Sequence, residues 1–146
     1  EQDIRASQIE IEKLIEHEIS RGVASDKIIL AGFSQGGVIA LQTGLRHNKK
    51  LNGIMALSTY LGMPDLLEKE ASAINKTIPI FMAHGDQDNV INISLGAKSR
   101  DALSENGYAI DWHDYPMAHS VCMEEIEDIS TWMLKQLAWA RYIWTI

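Results

Sequence analysis

Ile4, Ile9, Ile11, Leu14, Ile15 and Ile19 recur at spacings close to one helical turn, with Glu, Gln and Lys between them. That period predicts a helix over 3–20 with one apolar face, ended by Gly22. The pattern then changes. Lys27 to Phe33 is a short apolar, β-branched run bounded by Ser25-Asp26 and by glycines. It is too short for a helix and suits a strand buried on both faces. Residues 35–46 return to helical spacing.

The alternation repeats three times. Gly53 to Ser58 reads as a second buried strand, followed by a loop with Gly62 and Pro64 and a helical stretch from Asp65 to Asn75. Pro79 to His84 is a third strand, followed by a polar loop over 85–92 and a helix over 94–105. Ala109 to Tyr115 alternates apolar and polar positions, as a strand nearer an edge would, and a last helix runs over 121–137. Strands alternating with helices predict βαβ units and a mostly parallel sheet flanked by helices, the α/β class. No linker, internal repeat or low-complexity segment breaks residues 1–146, so a single domain is expected.

Composition narrows the function classes. With 13 basic and 20 acidic residues the net charge is −7, and no basic patch is evident, which argues against nucleic acid as a partner. A single cysteine, Cys122, cannot form an intramolecular disulfide or a zinc-type cysteine cluster, and it fits a reducing compartment. No apolar run reaches the roughly 18 residues that span a bilayer, and no basic n-region opens the chain. These features predict a soluble, cytoplasmic chain that is not an integral membrane protein. The chain starts at Glu1, already inside an amphipathic pattern, and a processed or truncated chain would explain that start.

In a parallel sheet, ligands bind beyond the carboxyl ends of the strands. The first strand ends in Gly32-Phe33-Ser34-Gln35-Gly36, a G-x-S-x-G match in the strand, turn, helix context that the motif requires. The turn is sharp enough that only glycine is expected to fit two positions before and after Ser34. The hydroxyl would project above the sheet at a helix N-terminus, where the Gln35 N–H and the helix dipole can stabilise an oxyanion. A tightly packed or phosphate-binding glycine turn is the alternative.

A serine hydroxyl is a weak nucleophile at neutral pH, so this reading demands a histidine base and a carboxylate, in the chain order Ser, Asp or Glu, His. The loop after the third strand supplies Asp86 and Asp88, and the loop after the fourth supplies His119. Loop aspartates also cap turns, and a histidine at a helix start is often a surface residue. Their joint occurrence in this order is harder to reach by accident. His17, His47 and His113 read structurally, and His84 could support the acid loop. Glu124 and Glu125, at a helix start, favour the dipole; a metal site is the weaker reading, and none is expected.

The chain resembles the phospholipase/carboxylesterase branch of the α/β-hydrolases, which includes acyl-protein thioesterases. The resemblance rests on residues 31–37, 56–61, His84-Gly85-Asp86-Gln87-Asp88-Asn89-Val90 and 115–121. It implies an α/β-hydrolase fold with Ser34 as nucleophile, Asp88 rather than Asp86 as acid, His119 as base and Gln35 as half of the oxyanion hole. It further implies carboxylic ester or acyl thioester substrates with apolar acyl groups, and no metal or organic cofactor. Leu61, Val90 and Met117 are candidate pocket walls by position. Two departures stand out. Ile91-Asn92 replaces the family's usual apolar residue and proline, and the N-terminal strands with their HGxG-type loop are missing. That loop normally supplies the second oxyanion donor, and losing one donor costs about 10²–10³ in rate. A weakly active or inactive remnant, serving as an interaction module, is therefore the alternative expectation. Self-association through the exposed sheet edge or the aromatic segment 139–146 is a further one.

Overall fold

The computed structural model describes the backbone of residues 1–141 and the side chains through Leu137. Four strands, β1 (Ile29–Phe33), β2 (Gly53–Leu57), β3 (Ile80–Gly85) and β4 (Ile110–Tyr115), form one parallel sheet in the order β1-β2-β3-β4. Parallel neighbours require crossovers. α2 (Gln35–Arg46) connects β1 to β2 and α4 (Ile93–Glu105) connects β3 to β4, while α1 (Gln2–Ser20) precedes the sheet and α5 (Met123–Arg141) follows it. The aromatic terminal segment lies in α5 as far as Arg141, and the rest of it falls outside the described residues.

Successive residues of the two middle strands serve opposite faces, as the pleat requires. Ile54, Ala56, Ile80 and Met82 pack with Ile15, Leu41, Leu45 and Leu103 on one face. Met55, Phe81 and Ala83 pack with Tyr115 and Trp132 on the other. Both strands are therefore near-continuous apolar runs, buried on both sides. Leu41 is fully buried, and Leu41→Ala is expected to cost ~2–5 kcal/mol, read from chemical denaturation; a cost under ~1 kcal/mol would show that this face is not the core.

Two expectations are corrected. β1 is not buried on both faces: Ala31 and Phe33 are exposed, because among the described residues β1 pairs only with β2 and lies at the sheet edge. The stretch 65–75 is not one helix. It breaks into a 3-10 turn at Pro64–Leu66, a single turn α3 (Leu67–Glu70) and another 3-10 turn at Ala73–Asn75. Its backbone is tied down from outside: the Ser72 N–H donates to Leu45 O, and buried Asn75 bonds to residues 47, 49 and 51. These external partners replace the ladder of a continuous helix.

The register aligns the strand ends. Phe33 pairs with Leu57, Leu57 with Ala83, and Gly85 with Tyr115, so the loops carrying Ser34, Asp88 and His119 leave the same edge of the sheet.

Candidate active site

Ser34 sits between β1 and α2 with φ 56° and ψ −122°. A positive φ costs a non-glycine residue on the order of 1–3 kcal/mol and persists only where neighbours over-determine it. Here they do. The Ser34 N–H donates to Leu57 O at 2.9 Å, extending the β1–β2 ladder. The Ser34 carbonyl accepts from the Gly37 and Val38 N–H groups at 3.0 and 3.3 Å and from Thr59 Oγ1 at 2.6 Å. Thr59 thus clamps the turn from the loop after β2, a contribution that no local sequence signal announces.

The glycine requirement divides unevenly. A Cβ on Gly32 would lie 2.1 Å from the Gly36 carbonyl oxygen, so the strand and the helix start touch there through backbone. A Cβ on Gly36 would meet nothing within 4 Å. The expectation that both positions exclude a side chain is corrected: the crowding falls on Gly32, and Gly36 opens onto a groove of about 780 Å³ shared with α1 and β1. Gln35 is exposed and is the first residue of α2. Its N–H belongs to the first turn, where donors have no intrahelical acceptor.

Asp88 lies in the turn after β3 and is nearly inaccessible, whereas Asp86 is exposed. Asp88 Oδ1 accepts from the Val90 and Ile91 N–H groups, both at 2.9 Å, and Oδ2 accepts from His119 Nδ1 at 2.7 Å. A carboxylate only accepts, so the His119 proton in this bond is on Nδ1 and Nε2 is left bare in the neutral ring. Burial works to raise the Asp88 pKa. It is outweighed by the bonds from His119, Ile91 and Val90, which hold the carboxyl below the ordinary aspartate range.

The acid and base loops are fastened to each other through backbone. The Asp86 N–H donates to Tyr115 O at 2.9 Å and the Gln87 N–H to Met117 O at 3.0 Å. A Cβ on Gly85 would lie 2.2 Å from the Met117 carbonyl, so only glycine permits this approach. The His119 ring stands 4.7 Å from the ring of Phe33, next in the chain to Ser34. The Ser34 hydroxyl makes no hydrogen bond among the described residues.

The three wall candidates part company. Leu61 is only 5% exposed and belongs to the core, with its N–H bonded to Ser99 Oγ at 2.8 Å. Its assignment to a pocket wall is corrected, because a side chain enclosed by core neighbours does not line an open surface. Val90 is 67% exposed beside Asp88, and half-buried Met117 packs near Tyr115.

Glu125 also departs from its reading as a helix-start charge. It is fully buried in the first turn of α5, and neither carboxylate oxygen has a hydrogen-bond partner of good geometry among the described residues. Burial pushes its pKa up, opposed weakly by the Cys122 N–H. A raised folded-state pKa gives stability that is complete below the unfolded value, about 4.5, and that is lost as pH rises through the folded value. Glu125→Gln is therefore expected to gain stability relative to the parent as pH rises from 4 to 8. A difference in Tm between the two proteins that does not change with pH would contradict this.

The class follows from the fold: strands of parallel sheet leading into a serine turn, an acid loop and a histidine loop form the α/β-hydrolase fold. The structure superposes on SOBER1 of Arabidopsis thaliana with a TM-score of 0.88 at 25% identity, covering 94% of this chain and 66% of that one. It matches Zea mays acyl-protein thioesterase 2 with a TM-score of 0.80 at 26% identity, covering 92% and 66%. Residues 1–137 match the phospholipase/carboxylesterase family model, and the chain belongs to that family. It is 44% identical over 142 residues to acyl-protein thioesterase 1 of Neurospora crassa, covering 94% of this chain and 57% of that protein. The Yarrowia lipolytica acyl-protein thioesterase 1 is 39% identical, with 84% and 56% covered. The chain thus spans a little over half the length of these relatives.

Proposed function

We propose that this chain carries the catalytic residues of a serine hydrolase that cleaves carboxylic esters or acyl thioesters. The bond between Asp88 and His119, 2.7 Å long at the carboxyl end of the sheet and beside the Ser34 turn, is the observation that carries the reading. His119 Nε2 takes the Ser34 proton as Oγ attacks the acyl carbonyl, and the carbonyl π electrons move onto oxygen. Asp88 holds the imidazole with its proton on Nδ1 and stabilises the imidazolium that forms. The Gln35 N–H faces the developing oxyanion, aided by the positive end of α2. Collapse of the tetrahedral intermediate expels the alkoxide or thiolate, which takes the proton from His119. Water, deprotonated by His119, then attacks the acyl-Ser34 ester, and a carboxylic acid and free Ser34 result. These steps call on no metal or organic cofactor.

The relatives named acyl-protein thioesterases support an acyl group as the cargo, and exposed Val90 and half-buried Met117 are proposed as the apolar side chains that meet it. Among the described residues no helix is long and apolar enough to cross a membrane, and the lone cysteine together with the acidic balance supports a cytoplasmic setting.

A fluorophosphonate probe tests the assignment. Peptide mapping is expected to place the adduct on Ser34, with labelling lost on heat denaturation. An adduct on another residue, or none, would overturn it.

A further inference from the structure

His84, the penultimate residue of β3, is 1% exposed and takes no part in the steps above. A buried histidine is most simply a core residue with its hydrogen bonds satisfied, but the surroundings of this one are specific. Its Nε2 lies 2.7 Å from the Ile91 carbonyl oxygen. A carbonyl only accepts, so Nε2 carries the proton and Nδ1 is bare in the neutral ring. The same Nε2 is 3.5 Å from Asp88 Oδ2, the oxygen that accepts from His119. The ring has little freedom to leave this position. It stacks on Trp112 at 6.4 Å, and its Nδ1 lies so close to the backbone of α4 that a Cβ on Gly96 would come within 2.6 Å of it.

Ile91 is therefore held from both sides. Its N–H donates to Asp88 Oδ1 and its carbonyl accepts from His84, so the turn that presents Asp88 is closed by a side chain from the strand preceding it. We infer that His84 is a positioning residue for the Asp88–His119 pair: it clamps the acid loop through its bond to the Ile91 carbonyl, with the same Nε2 only 3.5 Å from Asp88 Oδ2. Without that donor the carbonyl of half-buried Ile91 is an acceptor lacking its partner. The turn relieves this by moving, and the carboxylate moves with it. The kinetic consequence rests on the hydrolase reading above; the clamp itself does not.

The test needs no turnover in its first two arms. Side-chain ¹⁵N NMR of the unaltered chain at neutral pH is expected to show His84 as the Nε2–H tautomer, and the Nδ1–H tautomer would overturn the inference. The second arm follows the far-downfield proton of His119 Nδ1, which reports its bond to Asp88. That resonance is expected to be lost or broadened in His84→Leu and kept in His84→Gln, whose amide nitrogen can reach the Ile91 carbonyl. In the third arm His84→Leu lowers kcat on a short ester on the order of 10²-fold, the cost of misplacing a catalytic group by about 1 Å, with KM little changed and His84→Gln recovering most of the loss. A folded His84→Leu protein that keeps the downfield proton and the parental kcat would overturn the proposal. If His84→Leu fails to fold, the tautomer and the His84→Gln spectrum decide. Undiminished turnover by Ser34→Ala would sink the hydrolase reading instead and leave the NMR arms to judge the clamp.

Discussion

Ser34→Ala is expected to lower ester and thioester turnover by roughly 10⁴-fold or more, the scale on which loss of a serine nucleophile acts elsewhere, and to abolish fluorophosphonate labelling. The fold is expected to survive. The Ser34 hydroxyl makes no hydrogen bond among the described residues, and the bonds that hold the turn come from its backbone N–H and carbonyl. Alanine adopts the φ of 56° at a cost similar to that of serine, since both carry a Cβ. The Tm should therefore change little while activity disappears, which separates chemistry from stability. Retained turnover at the parental Tm would show that another group performs the reaction.

Asp88→Asn is expected to cost about 10⁴-fold in kcat, as it does where an amide replaces the orienting carboxylate of such a pair. The Val90 and Ile91 N–H groups both point at Oδ1, so the asparagine must place its carbonyl oxygen there. Its NH₂ then faces His119 Nδ1, which has to accept, and the imidazole proton is driven to Nε2. In that tautomer His119 cannot take a proton from Ser34. The same substitution alters acid stability. The depressed Asp88 pKa contributes stability present above the unfolded value, 3.8, and lost as pH falls through the folded value. Asp88→Asn should remove that share of the acid-side decline in Tm. A variant with near-parental kcat and an unchanged acid limb would show that Asp88 orients nothing.

Local pattern carried the serine turn furthest. Gly32-Phe33-Ser34-Gln35-Gly36 is a contiguous signal, and the backbone contact between Gly32 and the Gly36 carbonyl is the physical need behind its first glycine. The second glycine is a different matter, since no clash stands at Gly36 and the crowding it suggested is absent. The aspartates show where pattern stops. Asp86 and Asp88 sit two apart on one polar loop, and only the return of the chain over β4 puts His119 against one of them. Resemblance to a family selected Asp88; spacing alone left both open.

Burial was legible where a strand is paired on both sides and misleading where, among the described residues, it is paired on one. The β2 and β3 runs are enclosed on both faces, but an equally apolar β1 is half open because among the described residues it pairs on one side only. Leu61 misled for a related reason. Its place after β2 suggests the rim of a site, while the Ser99 hydroxyl that binds its N–H, 38 residues along the chain, draws it into the core. Glu125 and His84 were undervalued because their polar character hides burial that tertiary packing alone decides.

The most direct measurement of the central claim is the acyl-enzyme itself. Mixing the chain with a p-nitrophenyl ester and quenching in acid within the first turnover should yield a burst of nitrophenol stoichiometric with protein, and peptide mass spectrometry should find the acyl group on Ser34. An acyl group on any other side chain, or turnover with no covalent adduct, would contradict the account.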